Sequence, residues 1–157
     1  MTGVMTNRRY FPEDAPALAA LFARTVRAVN AADYSPEQVE AWVAGVHDFV
    51  PWRERLGRAT TLVAEHAHGV AGFATLESGG YLDLLFVDPA HLRNGVATRL
   101  LAALIAHPNS IGLRRIETEA SITARPFFER RGFRVVREQE VEQRGVKFRN
   151  FLMVREL

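Results

Sequence analysis

The stretch Val87-Asp-Pro-Ala-His-Leu-Arg-Asn-Gly95-Val-Ala97-Thr98-Arg99-Leu-Leu101 carries the clearest chemical signal in this 157-residue chain. An apolar run, Tyr81 to Val87, enters a turn at Asp88-Pro89 and then reaches Gly95-x-Ala97-Thr98, which opens an amphipathic helix. The first N–H groups of a helix have no partner within it and point along the axis. The helix dipole adds positive potential at the same place, which suits a phosphate or pyrophosphate. Gly95 and Ala97 present little or no side chain, so a ligand can approach the backbone closely, and Arg93 and Arg99 add positive charge. A small-residue turn between strand and helix is also common in proteins that bind nothing there. Within the preceding strand stands one carboxylate, Asp83, flanked by Leu82 and Leu84. Strict alternation puts it on one side with Tyr81, Leu85 and Val87. A carboxylate in such a setting has its pKa raised unless it is paired, so Asp83 is a base or amine-binding group, half of an ion pair with a core-facing arginine, or a solvent-facing residue. Glu117 and Glu119 share a face of the next strand and are its rivals.

These groups are positioned by a simple succession of elements. Residues 4–10 read as a strand; Asp14 begins a helix with Leu18, Leu21, Phe22, Thr25 and Val29 at helical spacing. Ser35-Pro36-Glu37-Gln38 is a second start, with Ser at the cap, Pro in the first turn and Gln in the capping-box position. Pro51 to Gly57 reads as a connector holding at most one helical turn. Strands follow at 60–65, 70–77 and 81–87, then the helix from Gly95, a strand at 114–119, a helix capped near Ser121 or Thr123 and closed by Gly132, and a hairpin of 133–141 with 146–155. The order β-α-α-β-β-β-α-β-α-β-β gives one domain over 1–157, an α/β (α+β) fold with helices on both faces of a mixed sheet.

Two motifs in order make the chain similar to the GNAT superfamily of acyl-CoA-dependent N-acetyltransferases. The first is Leu92-Arg-Asn-Gly95-Val-Ala97; the second is Ser121-Ile-Thr-Ala124-Arg-Pro-Phe127-Phe128-Glu129-Arg-Arg-Gly132-Phe133. The resemblance implies a mostly antiparallel sheet of six to seven strands, with a parallel pair at the fourth and fifth splayed apart at one end. It implies acetyl-CoA as co-substrate, its pantetheine arm against the backbone of Phe86 and Val87 and its pyrophosphate on the N–H groups of Arg93, Asn94, Gly95, Val96, Ala97 and Thr98. Ser121, Ala124, Phe127 and Phe128 would flank the same ligand. It implies direct attack by an amine, with Asp83 and Ser121 as the catalytic candidates. Tyr34, Gln38 and Trp42 resemble a Tyr-Ser-x-x-Gln-x-x-x-Trp pattern of small bacterial members and, with Glu119, would form the acceptor wall. Three residues depart from the pattern: Leu92 replaces Gln or Arg, Ser121 replaces Asn, and Phe128 replaces the Tyr that protonates the leaving thiolate. Tyr34, Tyr81 and Ser121 are the hydroxyls available in its place.

Composition narrows the classes. With no cysteine there is no thiol nucleophile, disulfide or zinc thiolate. The five histidines form no metal-ligand pattern, so no metal is expected. A net charge of +2, from 20 basic and 18 acidic residues, is too balanced for a nucleic-acid partner. Arg130, Arg131, Arg134 and Arg137 read as a solvated helix end and strand edge. No apolar run approaches the ~20 residues that span a bilayer, and Met1 to Arg9 lacks the apolar core of a leader. A cytoplasmic enzyme acting on a small-molecule amine is the expectation, without a membrane partner, and a homodimer is left open.

Overall fold

The computed structural model describes residues 4–157; Met1 to Gly3, part of the stretch read for a leader, lie outside it. Seven strands form one sheet in the order β1-β2-β3-β4-β5-β7-β6. They are β1 (Thr6–Arg9), β2 (Thr60–His66), β3 (Gly69–Leu76), β4 (Tyr81–Val87), β5 (Arg115–Ser121), β6 (Arg134–Gln143) and β7 (Val146–Glu156). Every neighbouring pair is antiparallel except β4 and β5. Five helices cover the sheet: α1 (Ala15–Ala28), α2 (Pro36–Ala44), α3 (Phe49–Gly57), α4 (Val96–Ala106) and α5 (Arg125–Arg130).

The alternation of strand residues divides the core in two. Val63, Phe73, Leu84 and Phe148 point to one face and pack with Leu18, Phe22, Val39, Trp52 and Leu56 of α1, α2 and α3. Ala64, Ala74, Leu82, Ile116, Phe151 and Met153 point to the other and pack with Leu100, Leu104 and Phe128 of α4 and α5. Helix α2 starts as its sequence dictates. The Ser35 hydroxyl accepts from the Gln38 N–H at 3.1 Å, and the Gln38 side-chain oxygen accepts from the Ser35 N–H at 2.8 Å, a reciprocal pair that satisfies two otherwise orphaned donors. Helix α5 ends at Gly132, where the Phe133 N–H returns to the Phe128 carbonyl at 3.0 Å.

Two features differ from expectation. The connector at 51–57 belongs to a nine-residue helix, α3. Pro51 sits in its first turn, where no intrahelical bond is lost. Trp52 and Leu56, four apart, are fully buried, and the Trp52 indole N–H donates to the Ala15 carbonyl at 2.9 Å. The second is in β4. Thr75 pairs with Leu84 and Leu76 with Leu82, so Asp83 is an extra residue opposite a single step of β3. This bulge reverses the alternation. Leu82 falls on the α4 side, yet Leu84, two residues on, falls on the α1–α3 side, and Leu85 and Val87 return to the α4 side. Asp83 therefore does not share a face with Leu85 and Val87; with Tyr81 it faces α3.

Candidate active site

β4 and β5 pair only through Tyr81 with Glu117 and Leu82 with Thr118. The Thr118 hydroxyl donates to the Leu82 carbonyl at 2.9 Å, and beyond that point the strands separate. From Asp83 to Val87, β4 has β3 on one side and no strand on the other. One group there has found a substitute: the Thr25 hydroxyl of α1 donates to the Val87 carbonyl at 2.9 Å. The gap opens into a cleft of about 750 Å³. Its walls bring together Phe86, Val87, Arg93, Gly95, Ala97, Thr98, Ser121, Ala124, Phe127 and Phe128, together with Tyr34, Trp42, Asp83 and Glu119.

The loop before α4 is shaped by backbone conformation. Gly95 has φ 77° and ψ 11°, a left-handed region that other residues enter at a cost. A Cβ added there would meet no protein atom within 4 Å, so the space above it is open. Arg93 also has positive φ, 63°. The first intrahelical bond runs from the Arg99 N–H to the Gly95 carbonyl at 3.0 Å, which leaves the N–H groups of Val96, Ala97 and Thr98 without helical partners. Helix α4 approaches the sheet closely because Gly72 lies beneath it: a Cβ at Gly72 would fall 2.9 Å from the Phe86 carbonyl and 3.1 Å from Val96 Cγ1. The Val96 side chain is buried in the core and the Asn94 side chain lies outside the cleft, so at these two positions only the backbone is at hand. Arg131, read from sequence as solvated, instead lines the cleft. Its Nε and Nη2 donate to the Thr98 hydroxyl at 3.0 and 2.8 Å, which adds a guanidinium beside the α4 N-terminus.

The opposite part of the cleft holds the titratable groups. Asp83 is clamped: Arg55 of α3 donates to it through Nε at 2.7 Å and Nη2 at 2.8 Å. The ion pair weighed from sequence is thus present, and its partner lies 28 residues away on the helix that sequence did not show. Glu117 is paired with Arg115. Glu119 is exposed to the cleft and, among the described residues, has neither an ion pair nor a side-chain hydrogen bond. Tyr81 lies beside it, and burial, followed by the charges of Glu119 and Asp83, raises the phenol far above its ordinary value. It stays protonated at any working pH.

The Ser121 hydroxyl accepts from the Ala124 N–H at 3.0 Å and from Asn30 Nδ2 at 3.4 Å, so its own proton is free to donate. Asn150, directly opposite Ser121 on β7, was not visible as a site residue in the sequence. It lines the cleft with its side-chain oxygen buried and unpartnered, a costly arrangement for a neutral amide.

Two of the expected acceptor-wall residues are otherwise engaged. Gln38 does not line the cleft; its side chain caps α2 and donates to the Lys147 carbonyl at 2.8 Å. The Tyr34 ring reaches the cleft, but its hydroxyl donates to the Arg149 carbonyl at 2.8 Å and accepts from the Ile122 N–H at 2.9 Å, joining β7 to the end of β5. Trp42 is half-buried and lines the cleft, set edge-on to Tyr34 at 5.4 Å and to Phe148 at 6.1 Å. Phe128 packs between Phe127 and Phe133, with ring centroids 5.2 and 5.0 Å away, and brings no hydroxyl. His66, His68 and His91 pack together outside the cleft, with the His66 ring edge-on to His68 and tilted against His91. Among the described residues no cluster of His, Cys, Asp and Glu is arranged to hold a metal, and no helix is long and apolar enough to cross a membrane.

Comparison with known proteins agrees with this geometry. The model of the acetyltransferase (GNAT) domain matches residues 30–155. The uncharacterised N-acetyltransferase YafP of Escherichia coli is 42% identical over 147 residues, 93% of this chain and 92% of its own. The crystal structure of a GCN5-related N-acetyltransferase from Rhodopseudomonas palustris is 32% identical and superposes with a TM-score of 0.94 over 100% of this chain and 99% of that one. The PaiA N-acetyltransferase of Thermoplasma acidophilum, in complex with coenzyme A, shares the fold at 17% identity, with a TM-score of 0.80 over 98% and 99% of the two chains.

Proposed function

Because this chain belongs to the GNAT acetyltransferase family, we propose that it moves an acetyl group from acetyl-CoA to the primary amine of a small molecule, by direct attack in a ternary complex in the cytoplasm. The observation that carries the reading is the single cleft joining the splayed β4–β5 edge to the N-terminus of α4. The residues present fit the co-substrate. The N–H groups of Val96, Ala97 and Thr98, the open space over Gly95 and the Arg131 guanidinium suit a pyrophosphate. The edge of β4 that faces the gap, to which the Val87 backbone turns while that of Phe86 turns to β3, suits the amide groups of a pantetheine arm.

Acetyl-CoA supplies a thioester, whose carbonyl carbon accepts the amine as the carbon–sulfur bond breaks. The chain's residues must bind the amine, take up its proton and assist the departing thiolate. Glu119 is the carboxylate best placed for the first two tasks, since both oxygens of Asp83 already accept from Arg55. Asp83 then sets the charge and position of Arg55. The Ser121 and Tyr81 hydroxyls are the donors for the thiolate or the developing oxyanion, where Phe128 offers none. A thiol is a good leaving group, with an ordinary pKa of ~8.5, so strong acid assistance is not required. Phe128 also favours a second reading, a CoA-binding module that regulates a partner without turnover. Calorimetry with CoA and thiol release with a panel of amines separate the two: binding with turnover supports the enzyme, binding without turnover supports the module, and no binding removes both.

A further inference from the structure

We propose that the acceptor is an amine with no carboxylate beside its reactive nitrogen, a net-cationic amine rather than an amino acid. The inference rests on the acetyltransferase reading above and concerns the floor of the cleft where β4 and β5 part. One guanidinium stands there, Arg55, and it is already spent. Two of its nitrogens hold the two oxygens of Asp83 at 2.7 and 2.8 Å, the side-on geometry in which a guanidinium matches a carboxylate best. The Asp83 side chain is only 13% exposed and that of Arg55 35%, so an incoming carboxylate would have to displace a largely buried one to be held side-on. The remaining unsatisfied groups are acceptors: the unpaired Glu119 carboxylate and the buried, unpartnered oxygen of Asn150. The free donors among these side chains, the Tyr81 and Ser121 hydroxyls and the Asn150 amide nitrogen, are neutral.

The floor therefore carries one positive charge against two negative ones. An ammonium brings three N–H donors and one positive charge, and matches it. The third Arg55 nitrogen could donate to a neutral oxygen, but a carboxylate there would add a third negative charge beside Asp83 and Glu119. The other cleft cations, Arg93, Arg130 and Arg131, belong to the loop before α4 and the end of α5, where Arg131 is bonded to Thr98 in the first turn of α4, and they serve the pyrophosphate end rather than this floor. Aromatic surface from Trp42 and Phe148 lies on the same side of the cleft, and suits the body of such an amine or its cation.

The test compares matched pairs that differ by one carboxylate beside the only primary amine: tyramine with tyrosine, tryptamine with tryptophan, phenethylamine with phenylalanine. Thiol release is followed at saturating acetyl-CoA. Each acetylated amine is expected to exceed its amino acid at least tenfold in kcat/KM, and the amino-acid methyl esters, which keep the bulk but lose the charge, are expected to recover toward the amines. In Asp83→Asn, which releases Arg55, the amine-to-amino-acid ratio should fall at least tenfold, whatever happens to the absolute rates. Amino acids acetylated as well as or better than their amines would overturn the acceptor class while leaving the acetyltransferase. Esters as poor as the free acids would show that bulk, not charge, excludes them, and would equally overturn it. A protein that binds CoA but acetylates no amine overturns the enzymatic reading, and the class falls with it.

Discussion

Replacing Gly95 separates the cost of backbone strain from the cost of a blocked ligand site. Gly95 has φ 77°, and an added Cβ meets no protein atom within 4 Å. The folded protein thus loses only the left-handed preference, about 1–2 kcal/mol. For a chain of this size that lowers Tm by roughly 2–8 °C. The same Cβ points into open space on the cleft, where the pyrophosphate must come close enough to accept from the N–H groups of the α4 turn. Each such bond to a charged oxygen is worth about 1.5–3 kcal/mol, so displacing the ligand from one or two of them costs ~3 kcal/mol, or about 10²-fold in Kd. Gly95→Leu should therefore melt a few degrees lower and bind CoA about a hundredfold more weakly by calorimetry. Gly95→Asn, whose side chain tolerates the left-handed region, should keep more of the stability and lose a similar share of the affinity. A folded Gly95→Leu protein with CoA affinity within about threefold of the wild type would refute the placement of the pyrophosphate.

Further expectations follow from other residues. Phe128→Tyr should change turnover by less than about tenfold, because thiolate departure does not depend on that position; a hundredfold rise in thiol release would show that the missing hydroxyl limits the enzyme. Glu119→Gln should lower kcat/KM for the amine by ~10²-fold or more while CoA affinity by calorimetry stays unchanged; wild-type kinetics would return the base role to Asp83. Tyr34→Phe leaves the Ile122 N–H unpaired and should cost about 1–3 kcal/mol in urea unfolding; a loss confined to amine KM at unchanged stability would make Tyr34 an acceptor residue instead. The hydrogen bonds from Arg8 to Asp14 hold that carboxyl below its ordinary 3.8, against the opposing effect of burial. Its contribution is complete above that value and lost as pH falls through the lower folded value. Asp14→Asn should accordingly destabilise at pH 7, and by much less at about pH 2.5; an equal loss in urea unfolding at both would exclude the ion pair as the cause.

What was legible in the sequence is local or periodic. Ser35-Pro36-Glu37-Gln38 encodes its cap within four residues, and the structure contains it. The same motif shows why Gln38 does not line the cleft: a side chain that completes a capping box is not free to enter it. The strand-turn-helix at 81–106 and the Gly132 terminus were legible for the same reason, since each signal lies inside the element it shapes. Helix α3 was obscured by Pro51 and its short length, although Trp52 and Leu56 carried a single helical repeat. The Asp83 bulge had no local signature, because an extra residue is defined only against β3. Arg55 as the partner of Asp83, and Asn150 as an unpartnered oxygen opposite Ser121, depend on chain segments brought together by the sheet.

The bulge at Asp83 acts as a change of reading frame within a strand. Upstream of it β4 shows Tyr81 and Asp83 to the helices that bound the acceptor end; downstream it shows Leu84 and Phe86 to them, and Leu85 and Val87 to the other face. One strand thereby offers polar groups and apolar groups in succession to the same side. Were β4 paired regularly through Asp83, either the carboxylate would lie against the apolar packing of α4 or the lower half of the strand would invert. Deletion of Asp83 is thus not equivalent to its substitution: it would remove the bulge and make Leu82 and Leu84, already paired with Leu76 and Thr75, successive residues of a regular strand, with the faces from Leu84 to Val87 unchanged. A relative that gains or loses one residue at this position would have a different cleft floor even if every other residue were the same.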